Sequence, residues 1–364
     1  MRLLFIIDSL SRGGKERRLV QLLKELQNVE NIKIALVVLS ESVQYDEVYS
    51  LNLEIIILKR KTKKDMSVFF KVYKICSEFK PDIVHSWGTM PSIYILPSVI
   101  LKKIKFVNSS IVDAPVKLSL KIWIRTKLTF PFSDIITSNS IAGLKSYNVP
   151  SRKSKVIYNG FDFKRISNLT SPEDIRSRFN ITTEYLIGMV SVFRLHKDHE
   201  TVIKAAQKIL MFRTDISFVL VGDGPTYEDC KRMAKYEPRI IFTGKQNEVE
   251  SIMNACDIGV LTTNIKIHGE GISNSILEFM AVGKPVIATD GGGTGEIINN
   301  NQTGYLIEPG NPDQLADKIL YLTDNADVRN SMGQEGRKCI EKKFDIDRMV
   351  KSFTELYNNL CEEE

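Results

Sequence analysis

Cysteine is scarce in this sequence, and its spacing fits no cysteine-based site. The 364 residues include five cysteines, which lie far apart and form no Cys-x-x-Cys pair. This pattern excludes a disulfide framework and the common zinc sites, and it indicates reduced, mostly buried thiols. No uncharged apolar run approaches the ~20 residues that cross a bilayer, and "MRLLFIID" is too short and too quickly acidic for a signal peptide. We therefore expect a cytoplasmic protein.

The familiar glycine-rich nucleotide motifs are also missing. The chain has no Gly-x4-Gly-Lys-Ser/Thr sequence, and no Gly-x-Gly-x-x-Gly followed by an acidic residue about 20 positions on. These absences argue against a P-loop NTPase and an NAD-dependent enzyme. The composition that is present, 43% apolar and 26% charged residues, is ordinary for a globular protein, and the length predicts two domains of similar size.

Positive charge is concentrated in the first half of the chain. Residues 1–165 contain 28 Lys and Arg against 14 Asp and Glu, a net charge of +14, whereas the remainder carries −8. The segments "KRKTKK" (59–64), "KKIK" (102–105) and "KLSLKIWIRTKLTF" (117–130) interleave cations with large apolar residues. This predicts peripheral contact with the anionic inner face of the plasma membrane. A solvated basic face is the alternative, and nucleic acid is disfavoured because no recognition motif accompanies the charge.

Thirteen strand-like runs alternate with amphipathic helical segments. Several are continuously apolar, which is typical of strands covered by helices on both faces of a parallel sheet. We therefore predict an α/β fold with two doubly wound parallel sheets. Residues 161–184 contain turn residues and no strand, so the linker is predicted there, with "SPEDIRSRF" as a short helix and "FDIDRMVKSFTELYNNL" as the last one. The runs are RLLFIID, IKIALVVLS, LEIIILK, DIVHSW, KFVNSSI, DIITSN, KVIYNG, LIGMVSVF, SFVLVGDG, IIFTG, DIGVLTT, PVIATD and GYLIE.

Loops at the carboxyl ends of these strands carry the candidate site residues, because ligands of open parallel sheets bind there. Gly13 and Gly14 follow the first strand and could bring backbone N–H groups to an anion, or could simply form a tight turn. His85 could donate to a sugar hydroxyl in a cleft, or be a rim histidine with its own partners. Arg194 and Lys197, between a strand and a helix, are typical of a diphosphate site.

Two carboxylates lie on either side of a predicted helix start in "GEGISNSILE" (269–278). The helix is predicted to begin near Ser273 or Asn274, with Glu270 in the loop and Glu278 inside the helix. The N–H groups of residues 272–275 would hold phosphate oxygens, while Glu278 would bind ribose hydroxyls and Glu270 sugar hydroxyls. In the alternative, both acids only complement the helix's positive end. A nucleotide-sugar transferase needs this combination, since cations and helix N-termini neutralise the departing diphosphate without a metal.

The motifs resemble those of retaining family-4 glycosyltransferases of the GT-B fold. The resemblance is strong over the second half and loose over the first, and Glu270-x7-Glu278 followed by Ala-x-Gly-x-Pro (281–285) is its most specific part. The motifs, in order, are GGKER, VIYNGFD, RLHKDHETVIKAA, LVGDGP, IIFTGKQNEVESIMNACDIGVLTT, HGEGISNSILEFMAVGKPVIATD and TGYLIEPGN.

The resemblance implies two Rossmann-like domains facing across a cleft. Residues 1–165 would bind a glycan or lipid-linked acceptor and residues 166–346 the nucleotide sugar, with the helix of about 347–364 packing back on the first domain. It implies catalytic roles for His85, Arg194, Lys197 and Glu270, no cofactor or metal, and a UDP-linked donor in preference to a GDP-linked one. The implied nucleotide-sugar site comprises Gly13, Gly14, Arg194, Lys197, Gly222, Lys245, Gln246, Glu270, Gly271, Ile272, Ser273, Asn274, Ser275 and Glu278.

The sequence departs from the family pattern at two places. Arg194 and Lys197 are three residues apart where many members have five, and "NIKIH" precedes Glu270, which leaves His268 without an assigned role. The leading hypothesis is a retaining glycosyltransferase that builds a bacterial surface polysaccharide such as capsule, O-antigen or lipopolysaccharide. A nucleotide-sugar epimerase of the same fold and a catalytically silent nucleotide-sugar-binding subunit are the alternatives.

Overall fold

The structure is a computed structural model that describes residues 1–11, 13–60, 62 and 65–362. Lys61, Lys63 and Lys64 of the predicted basic segment 59–64 lie outside the described residues. The chain divides into two compact units. Unit 1 comprises Met1–Gly160 and Ile346–Glu364, and unit 2 comprises Phe161–Asp345. The first boundary therefore lies five residues before the predicted residue 165.

Unit 1 is a parallel sheet with helices on both faces. The described residues of this unit form seven strands, which have the order β3-β2-β1-β4-β5-β6-β7 in the sheet. The strands are β1 (Arg2–Ile7), β2 (Lys33–Val38), β3 (Glu54–Ile57), β4 (Ile83–Trp87), β5 (Lys105–Ile111), β6 (Ile135–Ser138) and β7 (Ser154–Val156). The helices are α1 (Gly14–Leu26), α2 (Ser67–Phe79), α3 (Thr89–Lys102), α4 (Leu120–Thr129), α5 (Ile141–Ser146) and, after unit 2, α14 (Ile346–Glu362).

Successive residues of β1 supply two separate cores, which explains why the strand is apolar throughout. Leu3, Phe5 and Ile7 pack with α1 and α14, whereas Leu4 and Ile6 pack with α2 and α3. Helix α14 enters the first core through Phe353 and Tyr357, both fully buried, so the last helix completes one face of unit 1.

Unit 2 repeats this architecture with six strands in the order β10-β9-β8-β11-β12-β13. The strands of this described sheet are β8 (Tyr185–Val190), β9 (Ile216–Val221), β10 (Ile240–Gly244), β11 (Ile258–Leu261), β12 (Val286–Thr289) and β13 (Gly304–Ile307). The helices are α6 (Pro172–Arg178), α7 (His199–Leu210), α8 (Tyr227–Met233), α9 (Val249–Ala255), α10 (Asn274–Ala281), α11 (Thr294–Ile297), α12 (Pro312–Asp324) and α13 (Ala326–Lys343).

All thirteen predicted strands are present, and the predicted helix at "SPEDIRSRF" is α6. Pro172 starts α6, and Ser171 caps it by accepting from the Asp174 N–H at 3.1 Å. The α/β prediction of two doubly wound parallel sheets is confirmed. Among the described helices, none combines the length and hydropathy that would let it span a bilayer.

Candidate active site

The site in unit 2 lies where the strand order reverses. From β8 the chain builds outward through β9 to β10, then returns to β11 on the other side of β8. Loops that follow β8 and β11 therefore diverge from neighbouring strand ends and leave a crevice, which is where doubly wound sheets bind ligands. Lys197 belongs to the loop after β8, and Glu270 to the loop after β11.

Helix α10 packs closely on these two strands because two strand glycines make room for Phe279. A Cβ added at Gly259 in β11 would lie 2.5 Å from the Phe279 ring, and one at Gly188 in β8 would lie 3.1 Å from it. The helix begins at Asn274 with Ser273 as its N-cap residue, which confirms the predicted start. Glu278 is therefore inside the helix and Glu270 lies in the preceding loop, as predicted.

Lys197 and Glu270 form an ion pair across the switch point. The ammonium of Lys197 donates to Oε1 of Glu270, and the two side chains are only 14% and 11% exposed. Burial alone would raise the pKa of Glu270, but the charge and hydrogen bond of Lys197, with the fields of His268 and His196, hold that pKa below its usual value. The sequence prediction brought these two residues to one site, and the structure places them in direct contact. Arg194, three residues earlier, is exposed.

Glu278 has a cationic partner that the sequence analysis missed. Nη2 of Arg165 lies 3.0 Å from Oε1 of Glu278 and also pairs with Glu250 at the start of α9. Arg165 lies in a 3-10 turn (Phe163–Ile166) of unit 2, outside the strand-to-helix loops where ligands of parallel sheets bind, and no motif marks it. The buried Glu278 carboxylate is thus held in place by a side chain 113 residues away in sequence.

His268, which had no predicted role, lies beside His196 near the Lys197–Glu270 pair. The two imidazole centroids are 4.8 Å apart. Their loops are joined because Asn264 N–H donates to the carbonyl oxygen of His196 at 2.9 Å. Burial, with the charges of His268 and Lys197, lowers the pKa of His196 to about 4. At neutral pH, His196 is therefore uncharged beside the ion pair.

The loop that carries Arg194 and Lys197 is anchored by an aromatic stack. The His199 ring lies on Phe193 at 3.9 Å between centroids, and its Nε2 is 3.0 Å from Oγ of Ser191. Gly222, predicted to bind the nucleotide sugar, has φ of +139°, and a Cβ there would lie 2.0 Å from the Ser191 carbonyl oxygen. This close approach gives Gly222 a structural role in supporting the loop.

We expect His199 to make folding sensitive to mild acid. Burial, with the charges of Lys197 and His196, lowers the pKa of His199 to about 3 from an ordinary 6.5. The unfolded chain then binds this proton more readily between pH 6.5 and 3, so acid destabilises the folded state. Urea unfolding at pH 7 and pH 5 measures this effect. Between these pH values, the free energy of unfolding should fall by about 2 kcal/mol more in wild type than in His199→Gln. Equal losses in the two proteins would contradict this prediction.

Glu270 is also supported by the glycine loop after β12. Gly293 N–H donates to the Glu270 carbonyl oxygen at 2.8 Å. Gly292 has φ of +57°, and a Cβ there would lie 2.1 Å from the same oxygen. Lys245 is exposed after β10, and Nε2 of Gln246 donates to the Thr243 carbonyl oxygen at 2.8 Å. The roles of Lys245 and Gln246 in binding a base stay predictions.

Residues 271–275 lie at the start of α10, as the predicted phosphate site requires. Gly271, Ile272 and Ser273 are buried, whereas Asn274 and Ser275 are half-buried. In unit 1, Gly13 is the N-cap residue of α1 and Gly14 is its first residue. The glycine pair therefore forms a helix N-terminus, and its contact with a ligand stays a prediction.

The predicted catalytic position of His85 is wrong, because its side chain lies inside unit 1. The residue is fully buried in the middle of β4, with Nδ1 2.7 Å from the Tyr357 hydroxyl and Nε2 2.5 Å from Oγ of Ser109. Burial, with the nearby charge of Arg18, holds the pKa of His85 well below 6.5. Its position matches a histidine with its own partners, because α14 covers the strand face on which it lies.

We expect His85→Ala to destabilise unit 1 by about 3 kcal/mol, because it leaves a cavity and removes a partner of Tyr357 and Ser109. The affinity of the protein for nucleotides should stay within about twofold of wild type at 20 °C. Urea unfolding and nucleotide titration of the same sample separate the two effects. Intact stability with lost catalysis would instead restore the catalytic assignment.

Two family models together match most of the chain. The profile of "Glycosyltransferase Family 4" matches residues 12–165, and that of "Glycosyl transferases group 1" matches residues 171–339. The N-acetyl-alpha-D-glucosaminyl L-malate synthase of Bacillus anthracis is 25% identical over 312 residues, which are 82% of this chain and 80% of that protein.

A second relative is also a glycosyltransferase, and a solved structure has the same fold. The UDP-Gal:alpha-D-GlcNAc-diphosphoundecaprenol alpha-1,3-galactosyltransferase of Escherichia coli is 26% identical over 313 residues, 81% of this chain and 79% of that protein. The crystal structure of Anabaena HepE in complex with UDP and glucose has a TM-score of 0.87 at 19% identity, covering 99% of this chain and 100% of that one. The chain is therefore a glycosyltransferase that belongs to family 4 and has the two-domain α/β GT-B fold.

Proposed function

We propose that this glycosyltransferase moves a sugar, with retention of anomeric configuration, from a UDP-linked donor to a glycan or lipid-linked acceptor of a bacterial surface polysaccharide. The Lys197–Glu270 pair at the switch point of unit 2, beside the start of α10, is the observation that carries the proposal. The relative from Escherichia coli is named for a UDP-galactose donor, and the HepE structure contains UDP, which supports the choice of nucleotide.

The residues of unit 2 supply the electrostatics that this reaction needs. Breaking the glycosidic bond leaves negative charge on the diphosphate, which Lys197, Arg194 and the N–H groups at the start of α10 would stabilise. Glu270, kept ionised by Lys197, would accept hydrogen bonds from the donor sugar's hydroxyls. Glu278 would accept from the ribose while Arg165 fixes its carboxylate. In this scheme the cations replace a metal ion, so no metal is required.

Thermal-shift titration with UDP, GDP, ADP and CMP, with and without EDTA, tests the donor assignment. We expect UDP to stabilise the protein with an affinity that EDTA does not change, and Arg194→Ala and Glu278→Gln to weaken binding about tenfold. Arg232→Ala is the matched control, because Arg232 pairs only with the exposed Asp229 on α8 in the contacts described. If none of the four nucleotides raised the melting temperature, the proposal would be overturned.

Product analysis distinguishes the proposed reaction from the two alternatives. A transferase yields a new glycoside, whose anomeric proton coupling in NMR reports retention or inversion. An epimerase would yield a changed nucleotide sugar without acceptor, and a silent subunit would yield neither. No contact among the described residues favours either alternative.

The proposal includes peripheral contact of unit 1 with an anionic membrane through α4. Residues 114–133 contain four cations and no acid, and four apolar side chains of α4 are at least 44% exposed: Leu120, Trp123, Ile124 and Leu128. Exposed apolar residues among cations on one helix fit the boundary between lipid headgroups and acyl chains.

Vesicle sedimentation tests this contact. We expect binding to vesicles with 30% anionic lipid that falls at least ~10-fold in Trp123→Ser/Leu128→Ser, because buried apolar area is lost. Phe212→Ser is the control, since Phe212 is 65% exposed in unit 2. Equal binding to neutral vesicles, or no effect of the α4 substitutions, would contradict the membrane proposal.

A further inference from the structure

Unit 1 has its own switch point, and the residues there are charged. The strand order reverses between β1 and β4. Asp8 follows β1, and Gly88 connects β4 to α3, whose first residue is Thr89. Gly88 has φ of +126°, and a Cβ there would lie 2.5 Å from Oδ2 of Asp8. The glycine thus allows the start of α3 to lie against the Asp8 carboxylate at the carboxyl edge of the sheet, where ligands of doubly wound sheets bind.

Two arginines from different segments, one on α4 and one in the loop after β3, lie near this edge. Nη1 of Arg125, on α4, donates to Oγ1 of Thr89 at 3.1 Å. Arg60, after β3, is held by donation from Nε to the Leu39 carbonyl oxygen at 3.1 Å. Burial and the charge of Arg60 lower the pKa of Arg125, and the charge of Asp8 opposes this, so the three groups share one environment.

Among the described contacts of this edge, the acids Asp8 and Glu16 pair with a lysine and not with the two arginines. Lys15 lies 3.5 Å from Asp8 and 3.4 Å from Glu16, so these acids share one ammonium. Together with Arg60 and Arg125, these three described groups carry one positive charge in excess, beside the start of the 14-residue helix α3. Two partly buried guanidiniums near a helix N-terminus are suited to the oxygens of a phosphate or diphosphate.

Helix α4, which carries Arg125, also exposes several apolar side chains. Leu120, Trp123, Ile124 and Leu128 expose 44–71% of their surface on α4. An acceptor that contacts both sides of this helix must combine an anionic group with a hydrocarbon chain. The same helix would then hold the anion through Arg125 and the chain through its apolar residues.

We propose that Arg60 and Arg125 bind the phosphate or diphosphate group of a lipid-linked acceptor, whose hydrocarbon chain lies along the exposed apolar residues of α4. This rests on the proposed transferase function, of which it names the acceptor class. Neither arginine belongs to the donor site in unit 2, so the two sites can be tested separately.

Calorimetric titration of the full chain with farnesyl diphosphate, farnesol and inorganic pyrophosphate, each with UDP present, tests the proposal. We expect farnesyl diphosphate to bind, Arg60→Gln and Arg125→Gln each to weaken it about tenfold, and farnesol to bind at least about tenfold more weakly. Lys121→Gln, exposed on the same helix, should stay within about twofold. Leu120→Asn/Leu128→Asn should weaken farnesyl diphosphate but not pyrophosphate.

Three outcomes would overturn the inference. They are farnesyl diphosphate binding unchanged by both arginine substitutions, farnesol binding equally well, and pyrophosphate binding as tightly as farnesyl diphosphate, which would identify a free phosphate as the ligand. UDP titration of the same variants should match wild type and so report that they are folded. If wild type did not bind UDP, the donor proposal would be refuted. The comparison of farnesyl diphosphate binding between wild type and the arginine variants would still test the acceptor site.

Discussion

Lys197→Met is expected to lower kcat at least ~100-fold, because it removes one of the two cations that we propose stabilise the departing diphosphate. It should also destabilise unit 2 by about 2 kcal/mol, since Glu270 would remain as a mostly buried carboxylate without its ammonium partner. Steady-state kinetics and urea unfolding measure the two effects independently.

A second substitution separates charge balance from catalysis at this pair. In Lys197→Met/Glu270→Gln the unpaired carboxylate is gone, so stability should recover by more than half while activity stays at the single-variant level or below. Lys204→Met is the matched control, because its pair with Glu200 on the same helix is about half exposed and should contribute less than 1 kcal/mol. Full activity of Lys197→Met would remove the basis of the proposed mechanism.

Arg165→Met is expected to destabilise unit 2 by about 3 kcal/mol. The substitution leaves Glu278 and Glu250, whose side chains are only 5% and 12% exposed, beside one another without the guanidinium that pairs with both. UDP affinity should fall about tenfold, because the Glu278 carboxylate would no longer be held in place. Urea unfolding and UDP titration give the two values.

The same logic supplies a rescue and a control for Arg165. Glu250→Gln added to Arg165→Met removes one of the two like charges and should restore at least 1 kcal/mol. Arg178→Met should lower the free energy of unfolding by less than about 0.5 kcal/mol. Arg178 lies 3.7 Å from Glu248, and both side chains are about half exposed. If Arg165→Met and Arg178→Met behaved alike, the buried pair would have no special role.

The fold could be predicted almost completely from the sequence, because its strands are short apolar runs separated by clear turns. The start of α10 was also predictable, since Ser273 and Asn274 are good N-cap residues before an apolar run. The contact of Lys197 with Glu270 followed from strand topology, which brings loops after neighbouring strands together.

Sequence reasoning failed where a side chain's surroundings come from a distant segment. His85 was predicted to face a cleft at the end of its strand, yet α14 covers that side of β4 and supplies Tyr357, which lies 272 residues away in sequence. Arg165 contacts Glu250 and Glu278, which lie 85 and 113 positions later in the sequence. Neither contact has a local pattern, so neither could be found from spacing or periodicity.

Helix α14 also determines when unit 1 can be completed during synthesis. The buried guanidinium of Arg18 lies between the rings of Trp87, 5.3 Å away, and Phe353, 5.2 Å away. Until the ribosome releases residues 346–362, that side of the sheet lacks its cover, whereas all of unit 2 has already been made. The domain whose synthesis begins first is therefore the one that finishes folding last, and a nascent chain stopped before residue 346 would expose an apolar face to chaperones.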